Sequence, residues 1–309
     1  MMLQEHAERA ATEAAEKYKA GEVIIEHVSN SGIDHPLIHL PKILGIDFSV
    51  TKHVLMLWVV ATIVFLVVTT TVRRYLKQDR TIPSGLMNPL EFGVEFIRDS
   101  IVLPNVGQKW VNVWTPLILT LFVFILSANA IGLIPIFEVF ALLDRVVLHT
   151  SHDSFFGSLI HGGTTITGNF NVTAALATIT FFAIIVAGTK AHGFVKHWMN
   201  LVPHGLHWSI YILLIPIEVL GMFVRPFALT MRLAANMTGG HIAVLAILSF
   251  VFILNELFGG AAGLGAGVVV SVPIASFISG LEMIVVLVQA YVFTLLTAVF
   301  IGMAIPAHH

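Results

Sequence analysis

Cysteine is absent from the 309 residues, and with it go disulfides, thiolate metal ligands and cysteine nucleophiles. Charge is nearly as scarce. Asp, Glu, Lys and Arg make up 11% of the chain, under half of the ~25% that a soluble domain carries. A water-facing surface cannot be built from so little. Sixteen Lys and Arg stand against eighteen Asp and Glu, a formal net charge of −2, which leaves nothing to hold nucleic acid. The first residues lack an apolar core of the signal-peptide kind, so cleavage there is not expected. What the chain has in abundance is apolar surface: 57% of residues belong to the AVILMFWYC set and the mean hydropathy is +0.90. The composition predicts an all-α polytopic membrane protein.

Residues 1–52 read as a polar extramembrane extension. Its first twenty are rich in Ala, Glu and Lys, with helix propensity but no apolar stripe, and Pro36, Pro41 and Gly45 break its second half. Residues 53–309 read as a single membrane domain with five embedded helical segments, at about 53–72, 111–135, 170–189, 207–257 and 271–305. The first is a charge-free run between Lys52 and Arg73, and about twenty residues at 1.5 Å each match a ~30 Å hydrocarbon core. Trp110 and Trp114 suit an interfacial belt at the start of the second. The last two exceed the ~17–25 residues of a straight crossing and must be tilted or near-horizontal, with the Gly/Ala-rich stretch 259–267 as the turn between them. Between the first two lies an amphipathic helix, 88–102. There Leu90, Val94, Ile97 and Ile101 share one face, and Glu91, Glu95, Arg98 and Asp99 the other, a pattern for the membrane surface.

Loop charge gives an orientation. The connections 73–109 and 190–206 carry eight Lys and Arg, whereas 138–168 and 256–270 carry one, Arg145. The positive-inside rule puts the first pair in the cytoplasm, so the N-terminus is expected outside and the C-terminus inside. With no transit-peptide pattern, a bacterial plasma membrane is the expected location.

Ionisable groups within membrane segments are costly and generally functional. Glu218, Arg225, Arg232 and Glu282 stand out, with Asn236, His241 and Gln289 as polar neighbours. Glu218, Arg225 and Arg232 are spaced seven and seven, close to two turns each, so they form one stripe with Asn236 nearby. Glu282 and Gln289 are likewise seven apart. Glu218 and Arg225 near the membrane edge are open to a plain snorkelling pair. Arg232 is not: it sits fourteen residues beyond Glu218, with another twenty-three charge-free residues after it. A guanidinium keeps its proton at any physiological pH, and no carboxylate lies nearby on its stripe. Something must present an anion to it, and that anion can belong to a partner.

The segment RPFALTMRLAANMTGGH (225–241) resembles the signature of subunit a of F-type ATP synthases. NAIGLIP (129–135), NFNVT (169–173) and LEMIVVLVQAYVFTLL (281–296) are similar to other parts of that family. The resemblance covers about residues 50–305. It implies a non-catalytic, proton-translocating stator subunit working against a rotor ring of c subunits, held by the b subunits of the peripheral stalk within the rest of the synthase, and needing no cofactor or metal. It further implies that Arg232 is the stator arginine facing the ring and that Gln289 lies beside it. Asn236, His241 and Glu282 would belong to the outer ion path, and Glu218 to the cytoplasmic one. Arg225, Asn169 and Asn171 are secondary candidates. Many bacterial members carry Glu where this chain has His241, and His where it has Glu282, so the acid and the imidazole are exchanged here. The NFNVT motif often begins with Asp, and Asn169 removes an acid at that point.

Other classes remain open on the residues alone. A proton-coupled secondary transporter could use Arg232 to bind an anionic substrate, although no internal repeat supports an inverted-repeat transporter. An intramembrane hydrolase lacks paired acids or a Ser–His pair at matching depth. His149, His152 and Asp153, and His204 with His207, have spacings a metal could use, but fifteen His in the chain make solvated or interfacial histidines the expected reading.

Overall fold

The computed structural model describes residues 49–77, 85–133, 166–199, 207–258 and 260–305. The 1–48 part of the extension, nearly all of the 138–168 loop and the 200–206 connection lie outside them. Among the described residues eight helices occur in this order: α1 Lys52–Leu76, α2 Met87–Glu95, α3 Leu103–Val106, α4 Val111–Leu133, α5 Phe170–His192, α6 Phe194–Met199, α7 Trp208–Phe258 and α8 Gly260–Ala304. A π-helical stretch, Phe96–Val102, joins α2 to α3, and a 3₁₀ turn, Ile166–Gly168, precedes α5. Among the described residues five helices are long and apolar enough to cross a membrane: α1, α4, α5, α7 and α8. Their outer faces are apolar too. Phe65 and Phe277, for example, are 66% and 68% exposed, a surface suited to lipid and not to water. The chain is an all-α polytopic membrane protein.

The helix ends extend the expected segments for local reasons. Arg73 and Arg74 fall in the last turn of α1, and Lys190 and His192 in that of α5, where cations favour the negative end of the helix dipole. α5 stops at Gly193, whose φ of 85° is open to glycine and strained for other residues. One expectation fails: the glycine-rich stretch from 260 to 267 is helical, because α8 starts at Gly260 and not near Ser271. The glycines act by permitting contact. A Cβ at Gly267 would stand 2.6 Å from the Val251 Cα, so the bare backbone lets α8 lie directly on α7. α7 has 51 residues and α8 has 45. At 1.5 Å each they run to about 70 Å, more than twice a ~30 Å hydrocarbon layer, and fit it only when steeply inclined.

The amphipathic segment divides in two. Along α2, Val94 is exposed and Leu90 half-buried, whereas Ile97, Ile101 and Val102 are fully buried. The wider i→i+5 turn explains the difference. It brings the residues four and five beyond Ile97 back to one face, as the Leu103 amide bonds to the Arg98 carbonyl. Pro104 has no N–H to continue an α-helical ladder, and the Asn105 side-chain amide donates to the Ile101 carbonyl at 2.7 Å.

The helices group into two compact units, described separately. The larger holds, among described residues, 49–133, 166–237 and 283–305; the smaller holds 238–282. The core of the larger unit gathers Ile97 and Ile101 with Trp114, Ile118 and Ile125 of α4, Ala177 and Ala187 of α5, Leu229 and Leu233 of α7, and Ala290, Phe293, Ala298 and Ile301 of α8. Small residues recur where helices meet. A side chain at Gly302 would collide with the Asn105 backbone carbonyl, so α8 seats directly on α3. At the end of α5, His197 of α6 is buried with its ring on Gly188, where a Cβ would run into it. Burial, and then the neighbouring His192, hold the His197 imidazole below the ordinary histidine range.

Two outcomes are expected. Gly302→Ala lowers thermal stability by about 1–3 kcal/mol, since fixed backbone must give way, whereas Gly93→Ala, with open space around it, stays within about 0.5 kcal/mol of the parent or gains slightly; tryptophan-fluorescence melts in detergent compare them. Because the folded pKa of His197 is depressed, the unfolded chain binds its proton first, so this stability is present above pH ~6.5 and is lost as pH falls through the folded value. The melting temperature therefore declines on acidification below 6.5, and declines less in His197→Gln.

Candidate functional site

In the larger unit, α7 buries one stripe and exposes the other. Met222, Leu229, Thr230, Leu233, Ala234 and Met237 pack inward, each 8% exposed or less, at the three- and four-residue steps of a helix face. Arg232 stands on the opposite side, exposed, in the company of exposed Ala228, Ala235 and Asn236. Among the described residues no carboxylate forms an ion pair with it. A permanent cation therefore sits on an apolar face with its fork free to meet an anion.

The other two members of the stripe behave differently. Arg225 donates to Glu218 Oε1 at 3.3 Å, both half-buried, so these charges compensate each other. Gln289 is buried on α8 between Val286, Ala290 and Phe293, and no hydrogen bond joins it to Arg232. Asn169 has a sufficient local explanation: it is the N-cap of α5, its Oδ1 accepting the Asn171 amide at 2.8 Å, a position asparagine favours. Asn171 itself is exposed.

In the smaller unit, the Glu282 carboxylate packs on the backbone of Gly240, the residue immediately before His241. Glu282 is exposed along part of its length and His241 is half-buried. The two long helices thus bring an acid to the residue next to an imidazole, forty-one positions away in sequence. Only a glycine permits it, because a Cβ at 240 would occupy the place of Glu282 Oε1.

Some buried polar groups carried no signal in the sequence. Among the described residues, neither the side-chain N nor the O of wholly buried Asn129 on α4 finds a hydrogen-bond partner, and neither does the hydroxyl of wholly buried Thr167, on the 3₁₀ turn packed against α4. Buried polar atoms normally find partners or water, so each marks a polar spot inside the larger unit. Thr180 of α5 and Thr297 of α8 share a buried hydroxyl–hydroxyl bond of 3.2 Å. An asparagine inside the apolar run 111–133 was the one readable clue; threonines are too common in helices to give one. Among the described residues no three His, Asp or Glu come together as a metal site. His149, His152, Asp153 and His204 lie outside those residues.

A family model described as ATP synthase A chain matches residues 54–302. Among curated proteins, ATP synthase subunit a 2 of Chlorobium luteolum is 42% identical over 308 residues, covering 97% of this chain and 79% of its own. The protein of the same name from Prosthecochloris aestuarii is 39% identical, covering 97% and 84%. ATP synthase subunit a of Chloroherpeton thalassium is 37% identical over 272 residues, covering 87% and 71%.

The contact at Gly240 has a direct test. In Gly240→Ala the new methyl meets only the end of a flexible side chain, so thermal stability changes by no more than about 0.5 kcal/mol. The Glu282 carboxyl must swing away, and its labelling by a carbodiimide, followed by mass spectrometry, becomes faster. Unchanged labelling would mean that the carboxyl does not rest there.

Proposed function

The chain belongs to the ATP synthase A chain family, and on that premise we propose that it is the stationary proton-translocating subunit of a rotary F-type ATP synthase, non-catalytic in itself. The observation that carries the proposal is Arg232: a fixed cation on an exposed apolar helix face, with no ion pair among the described residues. Such a group is stable in a membrane only if a partner brings it an anion. A ring of c subunits, each with a carboxylate at mid-membrane, fits that requirement. Peripheral-stalk b subunits hold the chain still while the ring turns, in a bacterial plasma membrane with the N-terminus outside and the C-terminus in the cytoplasm.

The physics of the step is simple. A rotor carboxylate must be neutral while it faces lipid, because a bare charge there is prohibitively costly. Beside Arg232, opposite charges ~4 Å apart gain about 4 kcal/mol at an effective dielectric of ~20, which favours the ionised form roughly a thousandfold. The acid therefore gives up its proton on arriving at Arg232 and takes one up after leaving. Two offset aqueous half-channels make the exchange directional, and the permanent charge of Arg232 repels protons from a direct route between them. Glu282, with His241 beside its Gly240 support, and Asn236 serve the outer side. Glu218 serves the cytoplasmic side, and Gln289 supplies a neutral dipole on α8.

In inverted membrane vesicles carrying the whole complex, Arg232→Ala drops ATP-driven proton uptake by about a thousandfold, to background, while passive leak through the assembled motor stays level or rises. Pumping at the parental rate by that variant would remove the basis for this role, as would purification of the chain without a ring of small two-helix subunits.

A further inference from the structure

Arg225 has two partners, and they lie on different helices. Its guanidinium donates to Glu218 Oε1 at 3.3 Å, seven residues earlier on α7, and stands 5.7 Å from the centroid of the Phe300 ring on α8. Both contacts fall inside the larger unit. A guanidinium can make them together, because its edge carries the N–H donors while its flat face is free to lie on a ring. A lysine could supply the charge but not the stacked plane. Among the described residues, Arg225 is the sole hydrogen-bond donor to the Glu218 carboxylate. The pair is about one-third exposed, so its ion-pair energy contributes little to folding. Its geometry, by contrast, dictates where that carboxylate points.

We propose that Arg225 is a positioning residue: braced by the Phe300 ring, it holds the Glu218 carboxylate in the one orientation from which a proton is passed at the cytoplasmic side. This rests on the reading of Glu218 as the inner proton group. Arg225 itself exchanges no proton, since its pKa lies far above any working pH. Its influence is transmitted entirely through the acid it holds. A second consequence is electrostatic. With Arg225 neutralised by Glu218, Arg232 is the one uncompensated cation of the stripe, and a passing rotor carboxylate meets a single attractive point instead of two about 10 Å apart.

The test measures ATP-driven proton uptake in vesicles carrying the full complex, with the assembled amount of each variant fixed by immunoblot. Arg225→Gln lowers uptake roughly tenfold, whereas Arg225→Lys, which keeps the charge, and Phe300→Leu, which keeps the apolar volume, each lower it about two- to threefold. Glu218→Gln lowers uptake, and Glu218→Gln/Arg225→Gln together pumps no worse than Glu218→Gln alone, as expected for a residue acting through its partner. Multiplying losses in the double variant would overturn the proposal, and so would parental uptake by Arg225→Gln. Should Glu218→Gln already abolish uptake, Arg225→Lys decides: uptake no better than that of Arg225→Gln overturns the proposal, and recovery supports it. Failure here leaves Arg232→Ala inactive as before. Active Arg232→Ala, by contrast, refutes the broader reading and not this contact.

Discussion

A guanidinium that cannot shed its proton, carried on an apolar helix face with no acid of the described chain to meet it, constrains everything around it. Arg232 needs an anion, yet a permanent internal partner would cancel the attraction a moving partner requires. The other two charges on the same stripe are already committed: Arg225 and Glu218 satisfy each other, so neither is available to quench Arg232 or to compete with it. The inner face of the same helix, from Met222 through Leu229 and Leu233 to Met237, fixes the exposed side outward by simple helical geometry. The cation is thus exposed as a result of packing on the other side of α7.

Packing in lipid gains little from hydrophobicity between helices, so close approach has to be built in. The chain does this with residues that have almost no side chain. Gly188 receives the His197 ring, Gly240 the Glu282 carboxylate, Gly267 the Val251 backbone and Gly302 the Asn105 carbonyl, while Ala177, Ala187, Ala290 and Ala298 fill the core of the larger unit. Two of these glycines lock structure against backbone and two make room for titratable side chains. At the latter, a single methyl group would alter chemistry before it altered the fold.

Much of this is legible in the sequence. Long apolar runs mark the five long helices because hydrocarbon demands apolar length, and the seven-residue spacing of Glu218, Arg225 and Arg232 marks their common stripe because the helix period is fixed. The nearness of Glu282 to the residue before His241 is a property of the folded chain, made possible by the bare backbone at Gly240. The start of α8 is not legible, since Gly and Ala at 260–267 signal a turn in water but a helix contact in lipid. The change to i→i+5 bonding at 96–102 is hidden too, because it arises from what Pro104 and Asn105 do to the ladder and not from the apolar pattern. Asn169 stands where related motifs often carry an acid, and its bond to the Asn171 amide makes it a helix cap. Asn129 and Thr167 cannot be singled out from sequence alone: their significance is that, among the described residues, neither side chain has a hydrogen-bond partner once buried, which is a property of the folded chain.

The seat of Gly302 against Asn105 joins residues 197 positions apart. The ribosome finishes the π-helical stretch and α3 early, and releases the surface that holds them only with the final residues of the last helix. Until then Ile97, Ile101 and Val102 have an unfinished neighbour, and this part of the core has to wait, open, until α8 has been made. Membrane insertion of the earlier helices and completion of the fold are therefore separate events in time, and a chain stopped short of Gly302 would be inserted yet unclosed.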